Sequence, residues 1–188
     1  VRERPELRVD GARLVDTGPI DAKGAQAYGL EFAAQKQSLY VQAEYFDISL
    51  DRRNPAVGAT DPGFNGWYAQ GGWVLTGERR KYNAGTAAFD APGVDKRFDA
   101  SKGQWGAWEL AARYSTIDLN YAENSLIAAN HVRGGEQDIW TLGLNWFPNP
   151  AVKFMLDYYD VSVDRMNAAG AAIGQDYRAL NLRSQIAF

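Results

Sequence analysis

The fold of this chain is decided by its last stretch, Y-R-A-L-N-L-R-S-Q-I-A-F at 177–188. The stretch alternates strictly, and successive side chains of a β-strand fall on opposite faces of a sheet. One face carries Leu180, Leu182, Ser184, Ile186 and Phe188, and the other carries Tyr177, Ala179, Asn181, Arg183 and Gln185. A strand of this length, apolar on one face and polar on the other, is typical of a transmembrane β-barrel, whose wall meets lipid outside and water inside.

Six further segments show the same alternation and none keeps a helical period for long, which predicts an all-β fold. These segments lie at 26–35, 39–46, 65–77, 107–115, 140–146 and 152–159. Leu7, Val9 and Leu14 allow one or two short strands, broken at Gly11, at the start of the chain, which would supply an eighth strand. The sequence therefore predicts an antiparallel sheet of about eight strands in one domain over residues 1–188, with no second domain.

Composition excludes several classes of protein. No window approaches about 18 consecutive apolar residues, so no transmembrane helix is expected. Mean hydropathy is −0.40, which still allows a barrel, because each barrel strand shows half its residues to water. The chain has no cysteine and a net charge of −3, which argues against thiolate metal sites and against nucleic-acid binding. Because it begins V-R-E-R, without an initiator Met or an apolar leader, we expect a processed or excised piece.

Two patterns favour a membrane barrel over a soluble β-sandwich. Connections mostly alternate between short and long, as do the periplasmic turns and outer loops of outer-membrane barrels. The exception is the irregular stretch 79–102, which is long although it falls on the short-turn side. Aromatic rings also collect near strand ends, where rings settle at a membrane interface. The same rings would form the core of a soluble sandwich, so that alternative stays open.

Alternation also selects the side chains that would line a water-filled lumen. Arg113, Lys153 and Arg183 share the inward parity, and a pore for anions needs cations on its wall. Arg can bind an anion through two hydrogen bonds, because its planar fork matches a pair of oxygen atoms. The predicted polar lining consists of Gln42, Gln70, Thr141, Asn145 and Gln185. An alternative is that these cations only brace the wall, with Glu109 pairing Arg113 and Asp157 pairing Lys153.

The densest basic run is Arg79-Arg80-Lys81, at the end of the third clear strand. Such a run draws anions to a pore mouth, or it forms a solvated strand end that contacts lipid headgroups. We favour the strand end. Nothing in the sequence indicates a cofactor or a metal, since the nearby acidic residues of 157–164 lack the glycine and spacing of a calcium loop.

Several ordered stretches resemble the phosphate-selective porin O and P family. They are Y-G-L-E at 28–31, Y-V-Q-A-E-Y-F at 40–46, G-W-Y-A-Q-G-G-W-V-L-T-G-E at 66–78, G-A-W-E-L-A-A-R-Y-S at 106–115, W-T-L-G-L-N-W-F-P-N-P at 140–150 and L-R-S-Q-I-A-F at 182–188. The resemblance covers the chain from about Gly18 onward and matches the C-terminal half of the family.

This resemblance implies a homotrimeric outer-membrane porin of Gram-negative bacteria, with a barrel of about 16 strands and a narrow anion-selective pore. The present chain would hold about half of those strands, without most of the family's constriction. An isolated half would leave two sheet edges unpaired in lipid, so other strands complete the barrel or these close into a small one. The implied partners are outer-membrane lipid, small anions and the barrel-assembly machinery. The ending resembles the signal which that machinery reads, carried here by Leu180, Leu182, Ile186 and Phe188.

The sequence therefore predicts passive diffusion of small anions, such as phosphate or polyphosphate, through an outer-membrane channel. Enzyme function is not expected, because the single histidine, His131, lies in a loop and no serine has the glycines of a nucleophile elbow. Two alternatives remain, a structural membrane β-domain without conductance and a soluble β-sandwich that binds a ligand through its long loops.

Overall fold

The structure is a computed structural model that describes residues 1–3, 6 and 13–187. The described residues are almost entirely strands and connecting loops, with two short 3₁₀ turns at Ala100–Lys102 and Ala128–Asn130. The strands are β1 (Arg2–Glu3), β2 (Val15–Asp16), β3 (Ala22–Lys36), β4 (Leu39–Arg52), β5 (Gly63–Val74), β6 (Arg80–Asn83), β7 (Ala88–Pro92), β8 (Ala107–Tyr121), β9 (Val132–Asn149), β10 (Val152–Asp164) and β11 (Tyr177–Ile186). Within the described ranges, no helix is long and apolar enough to cross a bilayer.

Seven strands form one antiparallel sheet in the order β3-β4-β5-β8-β9-β10-β11. Apart from the β6–β7 insertion, each strand pairs with the next one along the chain, so the sheet is a simple up-and-down meander. This arrangement confirms the all-β prediction and the seven clearly alternating strands. The two-residue turns β3–β4 and β9–β10 lie at one end of the sheet, which we call the short-turn end.

Among the described residues at the start of the chain, no eighth strand joins the sheet. β1 pairs with β2, and neither is hydrogen-bonded to the seven-stranded sheet. The predicted strand positions Leu7 and Val9 lie outside the described residues. Val15 of β2 is instead fully buried against the inner face of the sheet, so the described part of this segment covers the wall and does not extend it.

The sheet is open. β3 is paired only with β4, and β11 only with β10, so the described strands do not close into the small barrel that was one of the expectations. A sheet with two free edges fits the other expectation, that further strands complete the wall, because unpaired backbone groups are costly in lipid.

The two faces of the sheet differ as the alternation predicts. On the outer face, Leu30 is 72% exposed, Trp73 50% and Leu182 75%. On the inner face, the polar side chains of Gln42, Glu109 and Asn145 are buried. Large apolar side chains that remain exposed as a continuous band need a covering phase, and lipid provides it for the outer wall of a membrane sheet.

The polarity of the faces reverses toward the long-loop end. Here the inner face becomes apolar and buries a cluster made of Val15, Phe64, Ile117, Leu119, Val132, Ile139, Tyr159, Val161 and Val163. The outer face of the same strands carries Asp118, Glu136, Asp138 and Asp164. Strands β8, β9 and β10 therefore run beyond the segments predicted from alternation, because the pattern of apolar-out residues ends where the strands leave the apolar band.

The stretch 79–102 is also more ordered than its sequence suggests. β6 and β7 form an antiparallel hairpin, with Tyr82 opposite Phe89. This insertion hairpin contacts the inner face of the sheet, since the Gln42 side chain donates a 3.1 Å hydrogen bond to the carbonyl of Ala87. A long connection at the short-turn end thus folds back over the inner wall.

Candidate functional site

A polar row crosses the middle of the inner face. Backbone register places Gln42 opposite Gln70, Gln70 opposite Arg113, and Arg113 opposite Thr141. Four predicted lining residues from four adjacent strands thus stand at one level of the wall. Each of these strands contributes one inward-facing polar side chain at that level. Directly opposed side chains in a sheet come within contact distance of one another.

Arg113 is held firmly in this row. Its Nε donates to Glu6 Oε1 at 2.7 Å and its Nη1 donates to Gln70 Oε1 at 2.8 Å. Its guanidinium carbon lies 3.7 Å from the centroid of the Tyr68 ring, a cation–π contact. Ser115 also donates to Glu6, at 3.0 Å. The positive charge of Arg113 is therefore neutralised locally, and its partner is Glu6, not the expected Glu109.

Lys153 and Arg183 differ from Arg113, because neither makes an ion pair within 4 Å in the described part of the chain. Lys153 lies opposite Gln185, and Arg183 lies opposite Met155, so the two cations are diagonal neighbours on the inner face of β10 and β11. The Lys153 ammonium is 5.2 Å from the centroid of the Phe147 ring. The expected Lys153–Asp157 ion pair is absent from these residues.

A third cation, Arg80 of the insertion hairpin, makes the tightest ion pair among the described residues. Its Nε and Nη2 donate to the two carboxylate oxygens of Glu109 at 2.6 and 2.7 Å, and Asn145 donates to the same carboxylate at 2.8 Å. The Glu109 side chain is fully buried and that of Arg80 only 11% exposed. The guanidinium of Arg80 also lies 4.7 Å from the Tyr40 ring centroid. Arg80 therefore fastens the hairpin to the wall, and the expectation of a solvated strand end is wrong for this residue.

Small residues make room for these inward groups. Gly72 and Gly143 occupy the row between Glu109 and the polar row. A Cβ at Gly72 would overlap the Tyr40 ring, and one at Gly143 would overlap the Asp157 carboxylate. The Tyr40 ring therefore lies over Gly72, and the Asp157 carboxylate lies over Gly143, so both side chains pack against the wall.

The long-loop end of the inner face is closed by the N-terminal segment. Arg165 donates to the carbonyl oxygens of Leu14 at 3.1 Å and Asp16 at 3.0 Å. Together with the Arg113–Glu6 pair, these bonds hold the described part of this segment against the wall. Sequence reasoning missed both Glu6 and Arg80, because their partners are far away in the chain and alternation carries no information on what folds over a sheet.

Comparison with known proteins identifies the family. The sequence model described as phosphate-selective porin O and P matches residues 1–188. The chain belongs to this family. An uncharacterised protein of Caulobacter vibrioides is 29% identical over 94% of this chain and 35% of its own length. Porin O of Pseudomonas aeruginosa is 30% identical over 77% of this chain and 31% of its own length. The chain thus spans about a third of the length of these relatives.

Membership of the porin O and P family places the protein in the outer membrane. Outer-membrane barrels have short periplasmic turns and longer outer loops, so the short-turn end of this porin sheet corresponds to the periplasmic side. The insertion hairpin therefore enters the inner face from that side.

The outer face of this porin sheet carries three of the predicted assembly-signal residues. Leu180, Leu182 and Ile186 of β11 are all exposed on the apolar band, and the fourth, Phe188, lies outside the described residues. Arg178 lies at the long-loop end of β11, where it forms a 3.2 Å ion pair with Asp160. The role of these residues in assembly remains a prediction.

Proposed function

We propose that this chain forms part of the wall of a passive outer-membrane channel for small anions such as phosphate or polyphosphate. The observation that carries the proposal is the pair Lys153 and Arg183, two inward-facing cations without an ion-pair partner among the described residues. The family description, phosphate-selective porin O and P, supports the same chemistry.

The proposed mechanism is diffusion past a wall of fixed charges, with no covalent step and no cofactor. An anion that enters a narrow pore loses water, and charged or polar donors on the wall replace those lost interactions. Lys153 and Arg183 supply the charge, while Gln185 supplies a neutral donor beside them. Arg183 is exposed and Lys153 is partly exposed, and a charge in contact with a wet lumen attracts an anion by about 1 kcal/mol, which is weak enough for the anion to leave.

Arg113 and Arg80 have a different role in this proposal. Each is paired with a carboxylate within 2.7 Å, so each adds hydrogen-bonding structure to the wall but little net charge. The insertion hairpin and the N-terminal segment both cover inner wall, and so they reduce the space available to a permeating ion. Selectivity then depends on the unpaired cations of β10 and β11, not on the total number of basic residues.

The proposal is tested by planar-bilayer conductance of the membrane-assembled protein in chloride, with phosphate added as the blocking anion. Replacing Lys153 and Arg183 by Gln is expected to raise the half-blocking phosphate concentration by about fivefold per charge removed, the equivalent of about 1 kcal/mol each. Arg178→Gln is the matched control, because Arg178 lies on the same strand as Arg183 but on the outer face, next to Asp160.

Three outcomes would contradict the proposal. A measured preference for cations over anions would show that Lys153 and Arg183 do not make the channel anion-selective. An unchanged phosphate block in the double variant would remove Lys153 and Arg183 from the conduction path. Absence of any conductance in the assembled protein would favour the alternative of a structural membrane β-domain, in which the segments that cover the inner face fill the lumen.

A further inference from the structure

The connection that follows the insertion hairpin passes from the inner to the outer side of the wall. At its start, Gly93 donates a 3.3 Å hydrogen bond to the carbonyl of Arg79 beside the hairpin. Further along, Phe98 donates to the carbonyl of Pro148 at 2.7 Å. At its end, the Trp146 indole, which has outward parity, donates to the carbonyl of Trp105 at 2.6 Å. Residues 97–105 therefore lie against the outer side of the short-turn end.

This segment adds two rings to an aromatic row of the sheet. Trp108, Trp146 and Phe154 are direct neighbours on β8, β9 and β10, with ring centroids 5.6 and 5.4 Å apart. Phe98 packs on Trp146 at 5.5 Å and on Trp105 at 5.6 Å. We call these five residues the outer ring cluster. It extends the apolar band of the wall at its periplasmic margin, and Trp105, its outermost member, is still 60% exposed.

Two exposed cations, Lys96 and Arg97, directly precede Phe98 of the cluster in the sequence. Lys96 and Arg97 are exposed, and neither makes an ion pair or a side-chain hydrogen bond within the described ranges. Lys102 is different, because it forms a 2.9 Å ion pair with Asp99. Hydrogen bonds from Ser101 hold the pKa of the Asp99 carboxyl below its ordinary value. Asp99 and Lys102 carry opposite charges at pH 7, and the pair is therefore neutral overall.

A groove lies next to these groups, between the segment and the β9–β10 turn. It has a volume of about 310 Å³ and is lined by Arg97, Phe98, Pro148, Asn149, Pro150 and Ala151. One wall is thus an unpaired guanidinium and the other a proline-rich turn. Asp95 is the exposed carboxylate nearest in sequence, and Lys96 and Arg97 together exceed its charge.

We propose that this groove and the outer ring cluster together bind the headgroup of an anionic glycerophospholipid. Continuity with the lipid-facing band places the rings at the depth of the headgroups, where aromatic side chains with polar edges are favoured. At that depth Arg97 and Lys96 meet phosphate, and a guanidinium binds phosphate oxygens in pairs. The proposal does not depend on conduction, so the channel function and this lipid site succeed or fail separately.

The site is tested with the membrane-assembled protein in bilayers of neutral phosphatidylcholine that contain a small fraction of brominated lipid. Bromine quenches indole emission at close range. The emission of Trp105, obtained as the difference between the native protein and Trp105→Phe, is expected to be quenched more by brominated phosphatidylglycerol than by brominated phosphatidylcholine. In Lys96→Gln with Arg97→Gln this preference should fall by about fivefold per charge, reflecting the contribution of a basic residue near an anionic surface.

The matched control is Arg79→Gln with Lys81→Gln, which removes two exposed cations from the other end of the same connection. Its lipid preference should equal that of the native protein. Equal quenching by the two brominated lipids, or an unchanged preference in the Lys96/Arg97 variant, would overturn the proposal. Quenching by neither lipid would also overturn it and would indicate that protein or water covers Trp105. Inorganic phosphate should leave the preference unchanged, and loss of the preference would reassign the groove to a free anion.

Discussion

Glu109→Gln is the substitution that most directly tests the attachment of the insertion hairpin to the wall. The Glu109 carboxylate accepts two hydrogen bonds from Arg80 and one from Asn145, and it is completely buried. An amide keeps the size of the side chain but removes the negative charge. The buried guanidinium of Arg80 then loses its counter-charge, while the rest of the contact surface between hairpin and sheet is unchanged.

The magnitude follows from the geometry. Removing one partner of a buried ion pair costs about 3–5 kcal/mol, and the lower value applies here, because the amide oxygen still accepts one hydrogen bond and Arg80 can turn toward the lumen. A cost of about 3 kcal/mol increases the population of the detached hairpin about 150-fold. The remaining contacts include the Gln42–Ala87 hydrogen bond, the contact between the Tyr40 and Phe89 rings, and the contact of Arg80 with the Tyr40 ring, worth about 1 kcal/mol each.

Hydrogen–deuterium exchange of the membrane-assembled protein measures this population directly. Amides of β6 and β7 should exchange about 150-fold faster in Glu109→Gln, while amides of β9 and β10 keep their native rates. Glu31→Gln is the control, because Glu31 is an inward-facing carboxylate of β3 without an ion pair in the described part of the chain. Unchanged exchange in the hairpin of the Glu109 variant would show that the ion pair does not hold it, and the argument from Arg80 would fail.

Two further substitutions probe the contact of Glu6 with the wall and the backbone turn at Gly106, directly before β8. Glu6→Gln should free the charge of Arg113 and raise the anion-to-cation permeability ratio about twofold to fivefold, measured as a shift in reversal potential under a salt gradient; an unchanged ratio would place Arg113 away from the ion path. Gly106→Ala should lower the free energy of unfolding by about 2–4 kcal/mol, because Gly106 has a φ of 72° and an added Cβ would overlap the Phe147 carbonyl. Gly103→Ala, with a similar φ of 65° and open space around it, should cost only about 1–2 kcal/mol in the same denaturation assay, and equal losses would contradict the overlap.

Alternation predicted the strands and their faces well, because it is a local property. Lys153 and Gln185, or Arg113 and Gln70, face the same side for the simple reason that strands have a period of two, and the observed register brings them together. The ends of the strands were predicted less well. Beyond the apolar band the outer face is acidic and the inner face is apolar. The alternation continues there, but the apolar residues now face inward, as Ile117 does, and the polar residues face outward, as Asp118 does.

The contacts that cover the inner face were not predictable from pattern. A run of three basic residues favours a solvated strand end for Arg80, yet its observed partner Glu109 is 29 positions away. Closeness in sequence on one face suggests Glu109 as one possible partner of Arg113, whereas the observed partner, Glu6, is 107 positions away. Ion pairs of this kind depend on how loops return to the sheet, which single-strand periodicity does not encode.

The meander order of the sheet has a consequence for how the chain assembles. Five of its six joins close over connections of 12 residues or fewer, but β5 meets β8 only across the 32 residues of 75–106. Relative to a two-residue turn, closing that span costs about 2.5 kcal/mol more in chain entropy. A β6–β7 hairpin that forms early shortens the effective span. Arg80 of this hairpin can then bind Glu109 of β8 as that strand joins β5. The pairing of β5 with β8 thus relies on a side-chain contact and not on a tight turn.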